Sequence, residues 1–429
     1  IKVWERKMKK VFLLTASLIL SLALFSQEIF IEQSLVINIE VPVRVFKGGE
    51  FIDNLSLGDF EVFEDGVLQK IDAVYLVKKR SIERSEEKKR FSPATSRNFF
   101  LNFEVSDYSA KMGEALENFI QNVLLPGDDL IVISPMTTYR LKSRALEVKS
   151  KEEIVEELKG LVRKDALEGS SDYRNTINEM IALSKSLTAA IKTGTIDVMP
   201  GRTEDAREAL PEQMDSFSSA QFGGLELDEQ LIYYQGLLYR LEVLRQVDQL
   251  KLLEFAKFLK NKEGQKYVFL FYQREFLPQI EPRILTEYIS LYQERPDILS
   301  TLSGIMGFQR RDVSFDVKKV KQAYADSSIS VHFLFITSPR DILPGVYMQE
   351  SSEDISSAFG EMASATGGFI DSSSDPSSLF QKALEASENY YLLYYTPKNY
   401  KSDGTFKEIK VRLKNKDYRI THRAGYFAD

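Results

Sequence analysis

The sequence predicts an α/β fold in which a doubly wound, mostly parallel sheet is combined with a β-sandwich-like domain. Between residues 98 and 388, short continuous apolar strands alternate with amphipathic helices, which is typical of a parallel sheet covered by helices on both faces. Before and after this region, apolar residues alternate with polar ones, which indicates strands with one buried face. At 429 residues the chain is long enough for two or three domains.

The composition is that of an ordinary globular protein, with 43% hydrophobic and 28% charged residues. The formal net charge of −7 gives no general electrostatic basis for binding nucleic acid, so a nucleic-acid partner is not expected. There are no cysteines and only two histidines, His332 and His422. Disulfides, thiolate metal sites, cysteine nucleophiles and a three-histidine zinc site are therefore excluded.

The first 26 residues are typical of a secretory signal peptide. Met8-Lys9-Lys10 precedes a charge-free, mostly apolar run over residues 11–25, and Ser26 is a small residue suited to cleavage. The run is shorter than the roughly 20 residues that span a bilayer, which favours cleavage over an uncleaved membrane anchor. We therefore expect a true start at Met8 and an exported protein, periplasmic or secreted. Its membrane contact would be limited to this segment, if the segment stayed uncleaved.

Residues 27–79 are predicted to form the first half of a β-domain. From Leu35 to Val45, every second residue is apolar, as in a strand with one buried face. Glu64-Asp65-Gly66 lies between two apolar runs, as expected for a short hairpin. The charged stretch that follows is interpreted as a solvated linker over residues 80–97. Apolar and polar residues alternate again within residues 389–429. We expect this segment to complete the β-domain, because the few strands of residues 27–79 alone would bury too little surface to be stable.

The central region is predicted from its apolar runs and helical periodicities. Buried strands are expected at 98–105, 130–133, 267–271, 329–336 and 369–370. Helices are expected at 112–125, 317–325, 355–365 and 377–386. Residues 145–262 are interpreted as a helical insertion, with helices at 151–163 and 178–191, a polar loop at 193–224 and one long amphipathic helix at 229–260. The apolar stripe of that last helix is more simply explained by core packing than by an exposed partner-binding arm.

Several of these segments, taken in order, resemble the bacterial VWFA-related family of exported proteins, which contain a von Willebrand factor A domain. Residues 126–133 resemble the second strand of such domains and residues 264–271 the fourth. The opening β-segment and the closing motifs also match, the latter being Ala363-Ser-Ala-Thr-Gly-Gly368, Tyr390–Pro397, Phe406–Leu413 and His422–Tyr426. The resemblance implies a Rossmann-like A domain over residues 98–388 and a non-enzymatic extracytoplasmic interaction or scaffold module.

The resemblance also locates a degenerate metal site. Metal-binding A domains carry Asp-x-Ser-x-Ser after the first strand and an Asp after the fourth, with a Thr from a loop. Here the first motif aligns with Glu104-Val105-Ser106-Asp107-Tyr108, and Gln273-Arg274 follows the fourth strand. Thr176 is a candidate for the loop ligand. Because Mg²⁺ requires a full shell of oxygen ligands, we expect no cofactor. The alternative is a metal-dependent adhesion module that keeps a weak divalent-cation site.

The same alignment predicts a partner-binding rim beyond the carboxyl ends of the strands, where parallel sheets collect their ligand-contacting loops. The rim residues are Glu104, Ser106, Asp107, Tyr108, Gln273 and Arg274. Tyr108 and Arg274 would make the main contacts with an unidentified protein partner, since both residue types are enriched in interface hot spots. Alternatively these loops only cap the strands. An envelope hydrolase is less favoured, because no nucleophile motif accompanies His332 or His422.

Overall fold

The computed structural model describes residues 37–141, 145–192, 222, 224–308, 313–337, 343 and 346–429, and the structural statements below concern these residues. The expected signal peptide and nearly all of the 193–224 loop lie outside them. The described residues from Asn38 to Asp429 form one compact unit of mixed α/β structure with several sheets. In these ranges no helix is both long and apolar enough to cross a membrane.

The N-terminal segment consists of strands. They are β1 (Ile39–Lys47), β2 (Glu50–Phe51), β3 (Phe60–Glu64), β4 (Val67–Gln69), β5 (Ile71–Lys78) and β6 (Ser81–Glu87). The hairpin expected around Asp65-Gly66 joins β3 to β4. The linker interpretation of residues 80–97 is wrong for β6, which pairs with β5 at the edge of a sheet. Its charged side chains mostly reach solvent, which an edge strand permits.

The central segment alternates strands and helices. Its strands are β7 (Arg97–Glu104), β8 (Asp129–Ile133), β9 (Thr138–Leu141), β10 (Gln265–Gln273), β11 (Phe276–Gln279), β12 (Ile329–Ile336), β13 (Tyr347–Glu350) and β14 (Ile370–Ser373). Its helices are α1 (Ala110–Asn118), α2 (Ala145–Val148), α3 (Lys151–Gly169), α4 (Ser171–Lys192), α5 (Leu227–Leu244), α6 (Gln249–Lys260), α7 (Pro282–Leu291), α8 (Pro296–Gly307), α9 (Val317–Asp326), α10 (Glu353–Ala365) and α11 (Pro376–Glu388). The C-terminal strands are β15 (Asn389–Tyr395), β16 (Phe406–Leu413), β17 (Arg419–His422) and β18 (Gly425–Phe427).

Strands from both ends of the chain combine in antiparallel sheets. One sheet has the order β17-β1-β15-β5-β6, with β2 paired to β1, and the other has the order β18-β16-β3-β4. Strand β15 lies between β1 and β5 and is antiparallel to both. Its Tyr391 hydroxyl accepts from the Leu55 N–H at 3.0 Å and donates to the Ile52 carbonyl at 3.0 Å. The two β-segments therefore share their sheets, while their separation as an independent domain stays a prediction.

The central sheet has the order β14-β12-β10-β7-β8-β9. All its strands are parallel except β9, an antiparallel edge strand. One face, here called the first face, packs against α1, α3 and α11, and the second face packs against α6, α9 and α10. Continuous apolar strands require this arrangement, because both faces of the sheet are buried.

A third core lies among α4, α5, α7 and α8. The expected insertion limits of 145–262 are therefore wrong at both ends. Helices α3 and α6 lie within that range but pack on the central sheet, whereas α7 and α8 follow β10 and join the third core. An apolar stripe shows that a helix has a buried face, but it does not show what that face packs against.

The single helix expected over residues 229–260 is two helices, α5 and α6. They separate at residues 245–248, and Asp248 caps α6 by accepting from the N–H groups of Leu250 and Lys251. The apolar stripe of α5 consists of Leu231, Tyr234, Leu238 and Leu241, and it is buried in the third core. The apolar residues of α5 and α6 do not form one continuous stripe, because the two helices pack against different cores.

The antiparallel sheets dock on the amino edge of the central sheet, where its parallel strands begin. Arg44 of β1 is buried, and it donates to Ser330 Oγ at 2.8 Å and to the Gly367 carbonyl at 3.4 Å. The Ala424 N–H donates to the Ala365 carbonyl at 2.7 Å. The Thr366 hydroxyl accepts from the Val331 N–H at 3.0 Å, so it ties the end of α10 to β12.

The glycines of the Ala363–Gly368 motif allow this close docking. Gly367 has a φ of 68°, and a Cβ there would lie 2.9 Å from the His422 backbone carbon. A Cβ on Gly368 would lie 1.8 Å from the Val331 carbonyl oxygen, which a real side chain cannot do. This motif therefore has a structural role: it brings α10, β12 and the C-terminal strands into backbone contact.

Candidate functional site

The loop after β7 meets the end of β10 at the carboxyl edge of the central sheet. Gln273 Oε1 accepts three hydrogen bonds, from the Ser106 N–H at 3.1 Å, the Ser106 hydroxyl at 3.2 Å and the Asp107 N–H at 3.0 Å. Asp107 in turn accepts from the Tyr108 N–H at 2.7 Å. The structure thus brings Ser106, Asp107 and Gln273 together, and a neutral amide oxygen organises the loop.

These contacts do not fit a dedicated divalent-cation site. A hard cation needs several oxygen ligands directed at one point, but the Ser106 hydroxyl donates to the amide that replaces the expected carboxylate. Across the described ranges, no three His, Asp or Glu side chains are placed to share a metal ion. Thr176 is not a loop residue, so that candidate is wrong: it is buried in α4, and its hydroxyl donates to the Asp172 carbonyl at 2.7 Å.

Tyr108 and Arg274 lie on opposite faces of the central sheet. Tyr108 packs against the first face, where burial raises the pKa of its phenol. The Arg274 guanidinium carbon lies 4.8 Å from the centre of the Phe335 ring, which belongs to the second face. Arg274 is two residues after Tyr272 and follows the alternation of β10. The two side chains therefore do not form the single contact patch that the sequence suggested.

A cavity of about 430 Å³ opens at the carboxyl edge, on the second face. Its floor is formed by side chains of β7, β10 and β12, namely Asn102, Glu104, Val268, Leu270, Tyr272 and Val331. Its walls come from α6, α9 and α10, through Leu252, Phe255, Tyr324, Phe359 and Met362. Ser106 and Gln273 lie at the same opening, so the cavity adjoins the loop described above. Its size is within the range of about 300–1,000 Å³ that is usual for small-ligand sites.

Asn102 and Glu104 are the polar part of the cavity floor. Along β7, Phe99, Leu101 and Phe103 face the first core, and the alternate positions Phe100, Asn102 and Glu104 face the other way. The cavity as a whole was missed by sequence reasoning, which considered Glu104 as a replaced metal ligand and as a residue of the partner-binding rim. A usable signal was present, because two polar residues at alternate positions interrupt an otherwise apolar strand.

Glu104 supplies the carboxyl group of the cavity floor. No hydrogen bond or ion pair joins it to another residue in the described part of the chain. Its side chain is open to the cavity, yet protein surrounds the opening. Burial therefore raises the pKa of its carboxyl group to about 7, and Lys251 opposes this shift only partly.

The other charged groups around the cavity are paired. Glu275 forms an ion pair with Arg245 and accepts from the Tyr272 hydroxyl at 2.8 Å. Lys251 Nζ lies 3.8 Å from Asp248 Oδ2. Since each of these pairs is neutral, the ionised Glu104 leaves the cavity with one net negative charge.

The two histidines occupy structural positions. His332 is buried, its ring stacks on Phe269, and its Nε2 lies 2.9 Å from Ser387 Oγ. Its Nδ1 has no hydrogen-bond partner among the residues that the structure describes, whereas a catalytic triad needs a carboxylate there. His422 accepts from the Val411 N–H at 3.2 Å, and its other ring nitrogen lies 2.8 Å from the Arg423 carbonyl. This geometry gives the hydrolase alternative no support.

Comparison with known proteins gives little further guidance. No protein-family model matches the chain, and no curated protein sequence matches it. Among solved structures, the chain is similar to the crystal structure of the human COPII-coat protein Sec24c, with 7% sequence identity and a TM-score of 0.26. That alignment covers 79% of this chain and 44% of the other, so the chain spans less than half the length of that structure.

Proposed function

We propose that this chain is a non-enzymatic, metal-independent binding module of the VWFA-related type, with a von Willebrand factor A-like domain between its β-segments. The observation that carries the proposal is the position of Gln273. Its amide oxygen accepts the loop donors at the point where the resemblance implies a cation held by carboxylate and hydroxyl groups. The loop is thereby ordered without an ion, and the carboxyl edge remains free to contact a partner.

The proposed partner is a protein met after export, in the periplasm or outside the cell. The carboxyl edge offers a mixed surface suited to such a partner, because the loop at Ser106 and Asp107 adjoins a cavity with apolar walls. Tyr108 and Arg274 would contact different parts of the partner, since they lie on opposite faces of the sheet.

The proposal is tested by capturing partners from an envelope fraction on the immobilised mature chain, with either EDTA or millimolar Mg²⁺ present. We expect the same partner under both conditions. Gln273→Ala should weaken capture, because the loop loses its three hydrogen bonds. Lys318→Ala, at an exposed position of α9, should leave capture unchanged. Capture that requires Mg²⁺, together with saturable Mg²⁺ stabilisation abolished by Glu104→Ala, would instead establish the metal-dependent adhesion alternative. Equal capture by Gln273→Ala would remove the carboxyl edge as the binding surface.

A further inference from the structure

We infer that the cavity beside Glu104 binds a protonated primary amine carried on a short apolar body. This inference rests on the proposed binding function and specifies the ligand chemistry of the same edge. The cavity has space, one uncompensated acidic group and apolar walls, and each of these features restricts the ligand in a different way.

The negative charge of Glu104 favours a cationic ligand in the cavity. Glu104 has no ion-pair partner in the described ranges, while Glu275 and Lys251 each lie beside a group of opposite charge. An anionic ligand would be repelled by the Glu104 carboxylate, and Lys251, which already lies beside Asp248, would offset this repulsion only partly. A cationic ligand would supply the missing partner inside a partly desolvated site, where such a pairing is stronger than in water.

Hydrogen bonding favours an ammonium group. Asn102 and Glu104 are two residues apart on one strand face, so their Cα atoms are separated by about 6.6 Å. An ammonium nitrogen beside Glu104 could donate to its carboxylate across about 2.9 Å, and a rotation of the Asn102 side chain would bring its buried Oδ1 within reach as a second acceptor. Asn102 Oδ1 is buried and has no hydrogen-bond partner among the described residues, so one acceptor beside the carboxylate is still unused.

The walls favour an apolar body. Beyond Glu104 the cavity is bounded by Leu252 and Phe255 of α6 and by Phe359 and Met362 of α10. A chain of four or five methylene groups could lie between these side chains while its ammonium end contacts the polar floor. A lysine side chain of a partner protein and a free alkylamine share this chemistry.

The inference is tested by calorimetric titration of the full mature chain in EDTA with pentylamine, and with pentanol and pentanoate as neutral and anionic analogues of similar length. We expect saturable binding of pentylamine alone. Glu104→Gln should weaken it by about tenfold or more, because a charge-assisted hydrogen bond is lost. Glu114→Gln removes the same charge from an exposed position of α1 and should leave the affinity unchanged. Leu252→Trp should also abolish binding, by filling the apolar part of the cavity.

Lysine capped at both ends, compared with capped norleucine, distinguishes the two sources of the amine. Binding of capped lysine at least as tight as that of pentylamine identifies a partner's side chain, and binding of pentylamine alone identifies a free amine. Equal binding of pentanoate, or unchanged pentylamine binding by a folded Glu104→Gln variant, would overturn the inference. If pentylamine fails to bind while partner capture in EDTA persists, the inference fails and the proposed function stands.

Discussion

The two edges of the central sheet are built from the same strands, but their polar groups are used differently. At the amino edge, Arg44 reaches across to Ser330 and the Gly367 carbonyl, and backbone groups touch at distances that exclude any side chain on Gly368. At the carboxyl edge, the sheet opens into a cavity, and Glu104 has no partner there among the described residues. The amino edge joins the antiparallel sheets to the central sheet. The carboxyl edge presents a cavity with Glu104 on its floor.

This difference separates residues that stabilise the fold from residues available for binding. A buried polar group costs stability unless it is paired, so pairing at the amino edge indicates a structural role. An acidic group beside a cavity, with no ion-pair partner among the described residues, does not stabilise the fold, which makes it a candidate for ligand contact. Substitutions at the amino edge should therefore lower stability, and a substitution at Glu104 should affect binding while leaving the fold intact.

The largest expected effect of a substitution on stability is at Arg97, at the start of β7. Its buried guanidinium lies 2.6 Å from Asp128 and donates to the Val123 carbonyl at 3.0 Å. Arg97→Met should lower the free energy of unfolding by about 3–5 kcal/mol, because the buried Asp128 would lose its close partner and keep only Arg80, at 3.8 Å, as an opposite charge. Urea denaturation measures the loss. The control is Arg140→Met, whose partner Asp129 is at the surface, and its cost should be below about 1 kcal/mol. Equal losses would contradict this account.

Gly368 gives the next largest effect. Gly368→Ala places a methyl group against the Val331 carbonyl, so α10 and β12 must move apart. We expect a loss of about 1–3 kcal/mol in the free energy of unfolding, measured by urea denaturation. Gly160→Ala is the matched control, because its helical position has open space around the added methyl group. That variant should be stabilised by up to about 1 kcal/mol. A neutral Gly368→Ala variant would show that the docking is loose.

The buried His332 should make the fold sensitive to acid. Burial, and then the nearby Arg44, lower the pKa of His332 well below 6.5, so the unfolded chain takes up a proton before the folded chain does. Its contribution to stability is complete above pH 6.5 and is lost as the pH falls, by at most about 1.4 kcal/mol per pH unit. His332→Gln should flatten this part of the stability curve between pH 6.5 and 5, as followed by urea denaturation at each pH. A variant with the wild-type slope would contradict the assignment.

The smallest effect on stability is expected at Glu104, and its pH dependence is opposite to that of His332. Because burial raises the pKa of Glu104 to about 7, the folded chain holds the proton more tightly than the unfolded chain. Stability is therefore lost as the pH rises from about 4.5 to 7. The midpoint of thermal unfolding of Glu104→Gln should exceed that of wild type by more at pH 8 than at pH 5. A constant difference across this range would mean that the carboxylate is well solvated.

The sequence predicts the strands of the central sheet well, because their apolar runs are continuous and bounded by turns. The strand expected at 329–336 has the observed limits of β12. The linker and the insertion were predicted less well for a shared reason. Charge and amphipathicity report solvent exposure, but they do not report pairing partners. Strand β6 and Arg97 therefore looked solvated, whereas β6 pairs at a sheet edge and Arg97 is buried against Asp128.

The candidate site was predicted in part for a similar reason. Loop residues at the ends of neighbouring parallel strands must converge, which places Ser106 and Asp107 beside Gln273. Which face each side chain occupies depends on the path of the loop, and this separates Tyr108 from Arg274. The cavity depends on how α6 and α10 cover the sheet, and no local pattern in the sequence specifies that packing.

The most direct test of the contrast between the two edges is the calorimetric titration of pentylamine into the chain in the presence of EDTA. We predict saturable binding to one site per chain, weakened about tenfold or more in Glu104→Gln and unchanged in Glu114→Gln. Binding that appears only when Mg²⁺ replaces EDTA would contradict the metal independence of the carboxyl edge. No binding in either condition would contradict the assignment of Glu104 as the acidic group that receives a ligand.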